Sequence, residues 1–491
     1  MAEFIVAIEL GSSKITGIAG RKNIDGSVKI LAVVKEDSTQ CIRNGVVYNI
    51  DRTCQCLTNI VNKLKTLLKT NIAHVYVGVG GQSIRSVKNV IVKDLAPDTV
   101  ITKVMIDELM DGNRSMTYPD QEILDAITQE YKVDAQLQID PIGIPATRLE
   151  GNFLNILWRK TFYRNLNKCF DNAGIAIAEM YLAPLALADS VLSEAEKRSG
   201  CVLVDLGSDT TTVSVYYKNI LRHLAVIPLG SANITRDIAS LQMEESEAEK
   251  MKLKYASAFT DGKEIDETLR LPIDKDRQVD ARRFIEIVEA RVEEIVENAW
   301  FQVPSEYADK LLSGIVLTGG GSNMKNIERA FRNHTHVEKI RIAKFVTQTV
   351  DSTDASINAK NGTMNTVLGL LAKGNMNCAG PEIDPHRDLF DEQPTGTTTG
   401  STVENHQKPR KPGEITGQGV VLTEAEKSAL EEEKRKAEAE AEEERLRLEK
   451  EAEEERLRQE EKKKNSSIHK FMRGVKDFFN KMYAPDTSEE D

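Results

Sequence analysis

The sequence predicts an α/β fold for residues 1–375, followed by a C-terminal extension of a different character. Short β-rich runs alternate with helical patterns throughout the first part, as in domains built from strands joined by helices. A strand that ends in an acid-x-Gly turn occurs twice, at Glu9 and again at Asp205, which indicates two related halves. Near residue 376 these patterns stop, so we do not expect the extension to share the same hydrophobic core.

The individual elements follow from local patterns. β-branched and apolar runs bounded by turn residues predict strands at 4–10, 15–19, 28–34, 74–78, 201–205, 211–217, 224–228 and 314–317. Apolar residues at three- and four-residue spacing predict helices at 52–69, 162–173, 186–197, 282–301 and 365–372.

Bulk properties exclude several classes of protein. With 491 residues, 40% of them hydrophobic, the chain can form two or more domains. The formal net charge of −12 argues against a nucleic-acid partner, which would need a basic surface. Six cysteines without a Cys-x-x-Cys pair are typical of reduced thiols in a cytosolic protein. We expect no signal peptide and no membrane span, because there is no basic n-region and no apolar run of about 18 residues.

His334 and His336 have the spacing of a metal-ligand pair. A structural or catalytic site needs at least three protein ligands, and no third one is evident in the sequence. We therefore predict no metal site there.

The first glycine turn joins two predicted strands and carries donors suited to phosphate. Gly11 permits a tight backbone turn, and Ser12, Ser13 and Lys14 then offer N–H, hydroxyl and ammonium groups. Glu9 precedes the turn as its acid.

The second turn repeats this design at Asp205, Gly207, Ser208, Asp209 and Thr210. Two such hairpins can face each other across a cleft, with a polyphosphate between their N–H groups. The acid of each turn can then hold Mg²⁺ through water.

The third turn follows the predicted strand at 314–317 and consists of Gly319, Gly320, Gly321 and Ser322. Three glycines allow a ligand to approach the backbone closely. We expect a helix to begin at this turn, where its dipole favours a phosphate group.

These three turns, in this order, resemble the superfamily of actin, sugar kinases and heat-shock chaperone ATPases. Within it the chain is similar to the FtsA family of bacterial actin homologues. The similarity covers residues 1–375 and includes the segments 221–231 and 314–324, together with Asp140-Pro-Ile-Gly143 and Arg148-Leu-Glu150. It departs from the superfamily at Glu9, where many members have Asp, and at residues 144–147, which replace a Met-containing turn.

The resemblance implies an actin-like two-domain ATPase fold that binds ATP and Mg²⁺ between its domains. It assigns Glu249 and Lys252 to the nucleoside, and Glu9 and Asp205 to the metal through water. The implied divisions are a first actin-like subdomain at 1–84 and 164–199, an FtsA-type insertion at 85–163, a second actin-like subdomain at 200–241 and 310–375, and a nucleotide-side subdomain at 242–309.

Three segments follow this body. Residues 376–421 are rich in Gly, Thr, Pro and Asn, which predicts a disordered linker. Residues 422–464 carry repeated acid-to-base pairs at i, i+4 spacing, which favour a charged single helix. A charged spacer without continuous helix remains the alternative.

Residues 465–483 form the third segment and predict an amphipathic membrane-targeting helix. Its apolar positions fall on one helical stripe: Ile468, Phe471, Met472, Val475, Phe478, Phe479 and Met482. Cations border or oppose this stripe at Lys470, Arg473, Lys476 and Lys481. Apolar side chains can enter the acyl boundary while the cations meet anionic lipid. Packing on a globular domain is the alternative, but the charged segment separates the stripe from the body.

The resemblance further implies a cell-division protein at the cytoplasmic face of the inner membrane, at the division site. FtsA-like proteins self-associate into filaments and bind the FtsZ C-terminal peptide through the nucleotide-side subdomain, besides other divisome proteins. Arg282, Arg283 and Arg291 are candidate contacts for acidic residues of that peptide. A PilM-like adaptor of pilus assembly and, more remotely, a small-molecule kinase are the alternatives on the same fold.

Hydrolysis is expected to be slow at most. Actin-like ATPases carry a water-orienting group on the helix before the second turn. The corresponding residues here are Pro184 and Leu185, neither of which can activate water, and Asp189 lies one turn beyond them. We therefore expect nucleotide to act mainly as a conformational ligand.

Overall fold

The computed structural model of the protein describes residues 3–261 and 268–381. The predicted linker beyond residue 381, the predicted charged helix and the predicted amphipathic helix lie outside the described residues.

Nineteen strands and twelve α-helices are found within the described residues. The strands are β1 (Ile5–Leu10), β2 (Lys14–Lys22), β3 (Val28–Asp37), β4 (Ile42–Arg43), β5 (Val46–Val47), β6 (Val75–Val79), β7 (Arg85–Val100), β8 (Gln121–Val133), β9 (Gln136–Gln138), β10 (Pro145–Arg159), β11 (Ile177–Leu182), β12 (Cys201–Leu206), β13 (Thr211–Tyr217), β14 (Ile220–Ile227), β15 (Arg270–Pro272), β16 (Gln278–Asp280), β17 (Ile315–Thr318), β18 (Ile340–Ile342) and β19 (Val350–Asp351). The helices are α1 (Ile50–Leu68), α2 (Lys103–Arg114), α3 (Lys160–Asn172), α4 (Ala183–Val191), α5 (Glu194–Ser199), α6 (Ser231–Ala239), α7 (Glu245–Tyr255), α8 (Ala281–Phe301), α9 (Ser305–Ala308), α10 (Ile327–Thr335), α11 (Ala355–Asn358) and α12 (Asn365–Lys373).

The first sheet has the strand order β11-β6-β1-β2-β3-β19. β1 is parallel to β6 and antiparallel to β2, so the first glycine turn lies at one end of the central strand pair. Helices α1, α4 and α12 pack near this sheet, and the apolar positions of their sequences supply its core.

The second sheet runs in the order β18-β17-β12-β13-β14-β7-β10-β8-β9. Its first five strands carry the second and third glycine turns. The last four belong to the inserted segment, which follows β6 in the chain yet joins β14 through the pairing of Arg85 with Ala225. The insertion therefore extends the second sheet, although its sequence interrupts the first half.

The hydrophobic core of the first half continues across the junction with the other parts. Buried side chains of the second sheet, such as Leu203, Tyr216 and Leu224, belong to the same cluster as Ile8 and Leu57. The insertion contributes to this cluster as well, through Ile127, Leu154, Ile156 and Trp158. A second core lies under α8 and α10, and a small third core lies under α2. The first core is therefore common to both halves and the insertion.

Arg222 on β14 fastens the insertion to the second half. Its buried guanidinium donates to both carboxylate oxygens of Glu130 on β8, at 3.2 and 3.1 Å, and to Oε1 of Gln129 at 3.2 Å. Its Nε–H donates to the backbone carbonyl of Tyr217 at 3.2 Å. The guanidinium beside Glu130 holds the pKa of that carboxyl below its ordinary value against the opposing effect of burial.

We expect Arg222→Lys to lower the free energy of unfolding by about 2 kcal/mol, because lysine keeps the charge but loses the forked hydrogen bonds. Urea unfolding measures the difference. Arg148→Lys is the matched control, since Arg148 pairs with Glu150 at an exposed position, and it should cost less than about 0.5 kcal/mol. Equal effects of the two substitutions would contradict the buried role of Arg222.

The strands predicted from sequence all occur, with boundaries shifted by a few residues. The single helix predicted at 186–197 is wrong, because α4 ends at Val191 and α5 begins at Glu194. Leu192 is extended, and Ser193 starts a new helix through a capping box with Glu196. Within residues 3–261 and 268–381, no helix has the length and apolar character needed to cross a bilayer.

Candidate functional site

The three glycine turns meet at one cleft between the halves, with a volume of about 1450 Å³. The turn residues predicted from sequence that line it are Glu9, Gly11, Ser12, Ser13, Lys14, Asp205, Gly207, Ser208, Thr210, Gly319, Gly320 and Gly321. Glu249 and Lys252 line it as well. Asp209 and Ser322 do not. The cleft is large enough to hold a nucleotide.

The first turn connects β1 to β2 as a tight hairpin. The Gly11 N–H donates to the Lys14 carbonyl at 3.1 Å, and a Cβ on Gly11 would stand only 2.8 Å from that oxygen. A side chain at this position would therefore disrupt the turn. The hydroxyl of Ser12 accepts a hydrogen bond from the Gly45 N–H at 2.8 Å.

The second turn repeats this geometry between β12 and β13. The Gly207 N–H donates to the Thr210 carbonyl at 2.9 Å, and a Cβ on Gly207 would lie 2.7 Å from that oxygen. Asp209 points away from the cleft, because its Oδ2 accepts the Asn44 N–H at 3.2 Å. Asp209 thus joins the second turn to the first half.

The third turn packs directly against the second one. Gly319 has φ 83°, and a Cβ there would lie 2.3 Å from Oδ1 of Asp205. Gly320 differs, because an added Cβ would meet only the methyl group of Thr363, at 3.7 Å. Ser322 is buried and donates its hydroxyl to the Gly319 carbonyl at 2.7 Å, so it holds the turn.

The helix expected to begin at the third turn is not there. A short 3-10 turn at Gly320–Asn323 follows β17, Met324 is extended at φ −62° and ψ 136°, and α10 starts only at Ile327. The glycine backbone, and not a long helix N-terminus, therefore faces the cleft.

Glu9 and Asp205 both line the cleft, and the charge of Asp205 acts on the carboxyl group of Glu9. Burial, and then the neighbouring Asp205 charge, raise the pKa of Glu9 from 4.5 to about 7, although Lys14 and Lys35 oppose the shift. Burial raises the pKa of Asp205 from 3.8 to about 6. Each of the two carboxyl groups therefore keeps its proton to a higher pH than an exposed carboxyl group does.

Because the pKa of Glu9 is raised, the folded protein binds its proton more tightly than the unfolded chain does. Protonation of Glu9 therefore adds to the free energy of unfolding. This contribution is complete below about pH 4.5 and is lost as the pH rises through about 7. We expect Glu9→Gln to raise the melting temperature at pH 8 in EDTA by several degrees and to change it little at pH 4. Glu108→Gln, at an exposed ion pair with Lys93, is the control and should alter neither value. If the Glu9→Gln variant were no more stable than wild type at pH 8, the ionised Glu9 carboxylate would not destabilise the folded protein, and the prediction would be wrong.

Lys252 holds Glu249 at the part of the cleft wall that α6 and α7 form. Its buried ammonium lies 2.7 Å from Oε2 of Glu249 and donates to Oγ1 of Thr235 at 2.9 Å and to the Ser231 carbonyl at 3.1 Å. The hydroxyl of Thr235 donates to the same Glu249 carboxylate at 2.5 Å. The orientation of the Glu249 side chain on α7 is thereby fixed at the cleft.

Sequence reasoning missed several further parts of the cleft wall, and some of them lie beside the glycine turns. Gly45, Gly80 and Gly81 lie behind the first turn, and residues 361–363 with Thr366 lie beside the third. The Asn44-Gly45 pair is a usual signal for a two-residue hairpin, and here it connects β4 to β5 with both residues at positive φ. The glycines at 78, 80 and 81 predict only the end of a strand that leads into the insertion, and they do not indicate a ligand site.

The helix before the second turn presents no water-activating group at the predicted place. Pro184 lines the cleft and Leu185 is buried in the core. Asp189 lies elsewhere, with its carboxylate bound to Lys197 at 2.6 Å and to Lys373 at 2.5 Å.

The histidine pair is not a paired ligand set in the structure. His334 lies beside Glu293 and Glu297 of α8, with their ligand atoms within 4.8 Å of one another, whereas His336 is not part of this group. Both glutamates are exposed, and the group contains an ion pair of 3.8 Å between His334 and Glu293.

The chain is similar in sequence to a family of known proteins. The family described as cell division protein FtsA matches residues 202–366, and the SHS2 domain inserted in FtsA matches residues 81–157. A cell division protein FtsA of Porphyromonas gingivalis is 32% identical over 77% of this chain and 80% of its own length. One of Neisseria meningitidis is 34% identical over 66% of this chain and 80% of its own length.

A solved structure, the PilM-PilN type IV pilus biogenesis complex, is similar in fold. It has a TM-score of 0.51 and 14% identity, over 75% of this chain and 97% of the other. The mixed α/β actin-like fold with an SHS2 insertion, predicted from sequence, is confirmed by these similarities and by the two sheets described above.

Proposed function

Because this chain belongs to the FtsA family of actin-like cell-division proteins, we propose that it binds ATP with Mg²⁺ in the cleft and attaches FtsZ filaments to the membrane. The observation that carries the nucleotide part is the convergence of three glycine turns on one cleft. Its division-site location at the cytoplasmic face of the inner membrane belongs to the same proposal.

The residues present fit ATP and a divalent cation. The repeated hairpins offer the N–H groups and hydroxyls of Ser12, Ser13 and Ser208 to a polyphosphate. The open face of Gly320 leaves room for the nucleoside, and Glu249, which lines the same cleft, would accept hydrogen bonds from its hydroxyl groups. Glu9 and Asp205 would hold Mg²⁺ through water, and the cation would neutralise phosphate charge.

The cleft supports binding better than rapid hydrolysis. The side chain of Pro184 has neither a basic group nor an amide group that could orient water. We therefore propose that the nucleotide acts mainly as a conformational ligand. Turnover should therefore fall far below the enzyme median of about 10 s⁻¹.

The membrane part of the proposal rests on the apolar stripe of the C-terminal segment. One such helix buries its side chains only partly, so a single copy attaches reversibly. Self-association into filaments would present many stripes to anionic lipid at once, and avidity would then make attachment firm. Other divisome proteins would be recruited to the same filaments.

The FtsZ part of the proposal places the C-terminal peptide near the N-terminal end of α8. Arg282 and Arg283 are exposed there. Arg291 is engaged in ion pairs with Asp237 and Glu294, which joins α8 to α6. Arg282 also pairs with Glu286, at 3.0 Å, so the exposed Arg283 is the best placed of the three to meet an acidic peptide.

A pull-down with the FtsZ C-terminal peptide tests the proposed function and separates division from pilus assembly. We expect the full-length chain to bind the peptide and not a scrambled version of it. Arg283→Glu should weaken binding, whereas Arg148→Glu on the insertion should not. Failure of the wild-type chain to bind the intact peptide would refute the FtsZ role.

A further inference from the structure

The last helix of the described body, α12, connects the two halves. At its first turn, the Asn365 amide donates to Oγ1 of Thr318 at 3.0 Å and to the Ala343 carbonyl at 2.9 Å. Thr318 ends β17, directly before the third glycine turn. Thr366, on the same turn of α12, lines the cleft. The start of the helix is therefore fastened to the second sheet at the edge of the cleft.

The rest of α12 packs closely against the first half. Gly369 approaches α4 so closely that a Cβ would lie 2.5 Å from the Ala186 carbonyl. Leu370 and Leu371 are fully buried, and they sit against Gly78 of β6 and Gly20 of β2. A helix held this tightly moves as a unit and cannot bend to absorb a displacement at one end.

Residues 374–381, called here the exit segment, continue from α12 and are held by the first sheet. The hydroxyl of Tyr76 accepts the Asn375 and Met376 N–H groups at 3.1 and 3.0 Å. The Cys378 N–H donates to the Phe4 carbonyl at 2.8 Å, and the Gly380 N–H donates to the Asn71 carbonyl at 3.2 Å. The exit segment is therefore held in place beside β1 and β6.

From this arrangement we infer that α12 couples the occupancy of the cleft to the exit segment. The inference rests on the proposed nucleotide site, and it states which part of the protein a nucleotide bound there would affect. A ligand that draws the second half toward the first shifts Thr318, and Asn365 carries that shift along α12 to residues 374–381. A ligand in the cleft thereby sets how firmly the C-terminal extension is held at its origin.

Amide hydrogen exchange of the full-length chain, with and without Mg-ATP, tests the coupling. We expect saturating nucleotide to slow exchange at Asn375, Met376 and Cys378 by about ten-fold, because local opening of the exit segment becomes harder. The amides of Ala173 and Ile175, at the end of α3 in the same half, serve as internal references and should slow much less.

Two substitutions break the link at its two ends. Asn365→Ala removes the connection to Thr318, and Tyr76→Phe removes the hydroxyl that holds the exit segment. Neither residue lines the cleft, so both variants should bind ATP as wild type does, yet lose the nucleotide-dependent slowing. Asn358→Ala and Tyr216→Phe are the matched controls, since Asn358 lies on α11 and the buried Tyr216 hydroxyl has no hydrogen-bond partner among the residues that the structure describes. Both controls should keep the full effect.

Calorimetric titration with Mg-ATP on the same samples separates the possible failures. A wild-type chain that binds ATP without slowing exchange in the exit segment would overturn the coupling and leave the nucleotide site intact. Equal slowing in Asn365→Ala and wild type would overturn the route through α12. A wild-type chain that does not bind ATP at all would refute the proposed function, on which the inference rests.

Discussion

Replacing both Phe478 and Phe479 by glutamate is expected to release the full-length protein from anionic liposomes. Fully burying one large apolar side chain contributes roughly 1.5–3 kcal/mol, and the substitution removes two such side chains from the stripe. It also brings two negative charges to a negative surface, each opposed by about 1 kcal/mol. The partition coefficient should therefore fall by at least about a thousand-fold.

Sedimentation with vesicles that contain phosphatidylglycerol measures this effect. The matched control is the double substitution Leu389→Glu with Phe390→Glu, which likewise replaces two adjacent large apolar residues by glutamate, in the C-terminal extension outside the stripe. The control should sediment as wild type does. Unchanged sedimentation of the Phe478 and Phe479 variant would rule out the stripe as the membrane anchor.

Gly320→Arg is expected to abolish measurable ATP binding while leaving the fold intact. An added Cβ at Gly320 meets only Thr363, at 3.7 Å, so the backbone accepts a side chain that then extends into the cleft. The long arginine would fill the space assigned to the nucleoside. We expect the affinity to fall by about a thousand-fold, the scale of about 4 kcal/mol of lost contacts.

Calorimetry or a fluorescent ATP analogue checks this prediction, together with a thermal melt that shows the variant is folded. Gly320→Ala should bind nearly as wild type does, because one methyl group fits the space. Gly112→Arg places the same residue on α2, outside the cleft, and should have no effect on binding. If Gly320→Arg retained wild-type affinity, the nucleotide would have to bind elsewhere.

The sequence was sufficient to locate the two phosphate-type hairpins and the third turn, because each depends on contacts within a few residues. The N–H groups of Gly11 and Gly207 each donate to the carbonyl three residues later. A local pattern of glycine and hydroxyl residues is therefore enough to predict the turn. The same holds for α8 and β13, whose observed bounds match the predicted ones almost residue for residue.

Features that depend on distant parts of the chain were beyond the sequence. Asp209 was expected to face the ligand, but the Asn44 N–H, which belongs to the other half, turns it away. The contribution of residues 361–363 to the cleft was missed for the same reason, since only the packing of Gly362 near Gly319 brings them there. No local pattern in β7 indicates that it pairs with β14.

The core shared by both halves and the insertion limits how the cleft can move. A hinge motion that separated the two halves would expose Leu203, Tyr216 and Leu224 to water. Exposing each large side chain would cost roughly 1.5–3 kcal/mol of free energy. Sliding and twisting of the packed layers keep that apolar floor covered. Ligand exchange in this protein should therefore proceed by shear, with small rotations at the base and larger displacements at the rim, and the two halves and the insertion should stay packed together throughout.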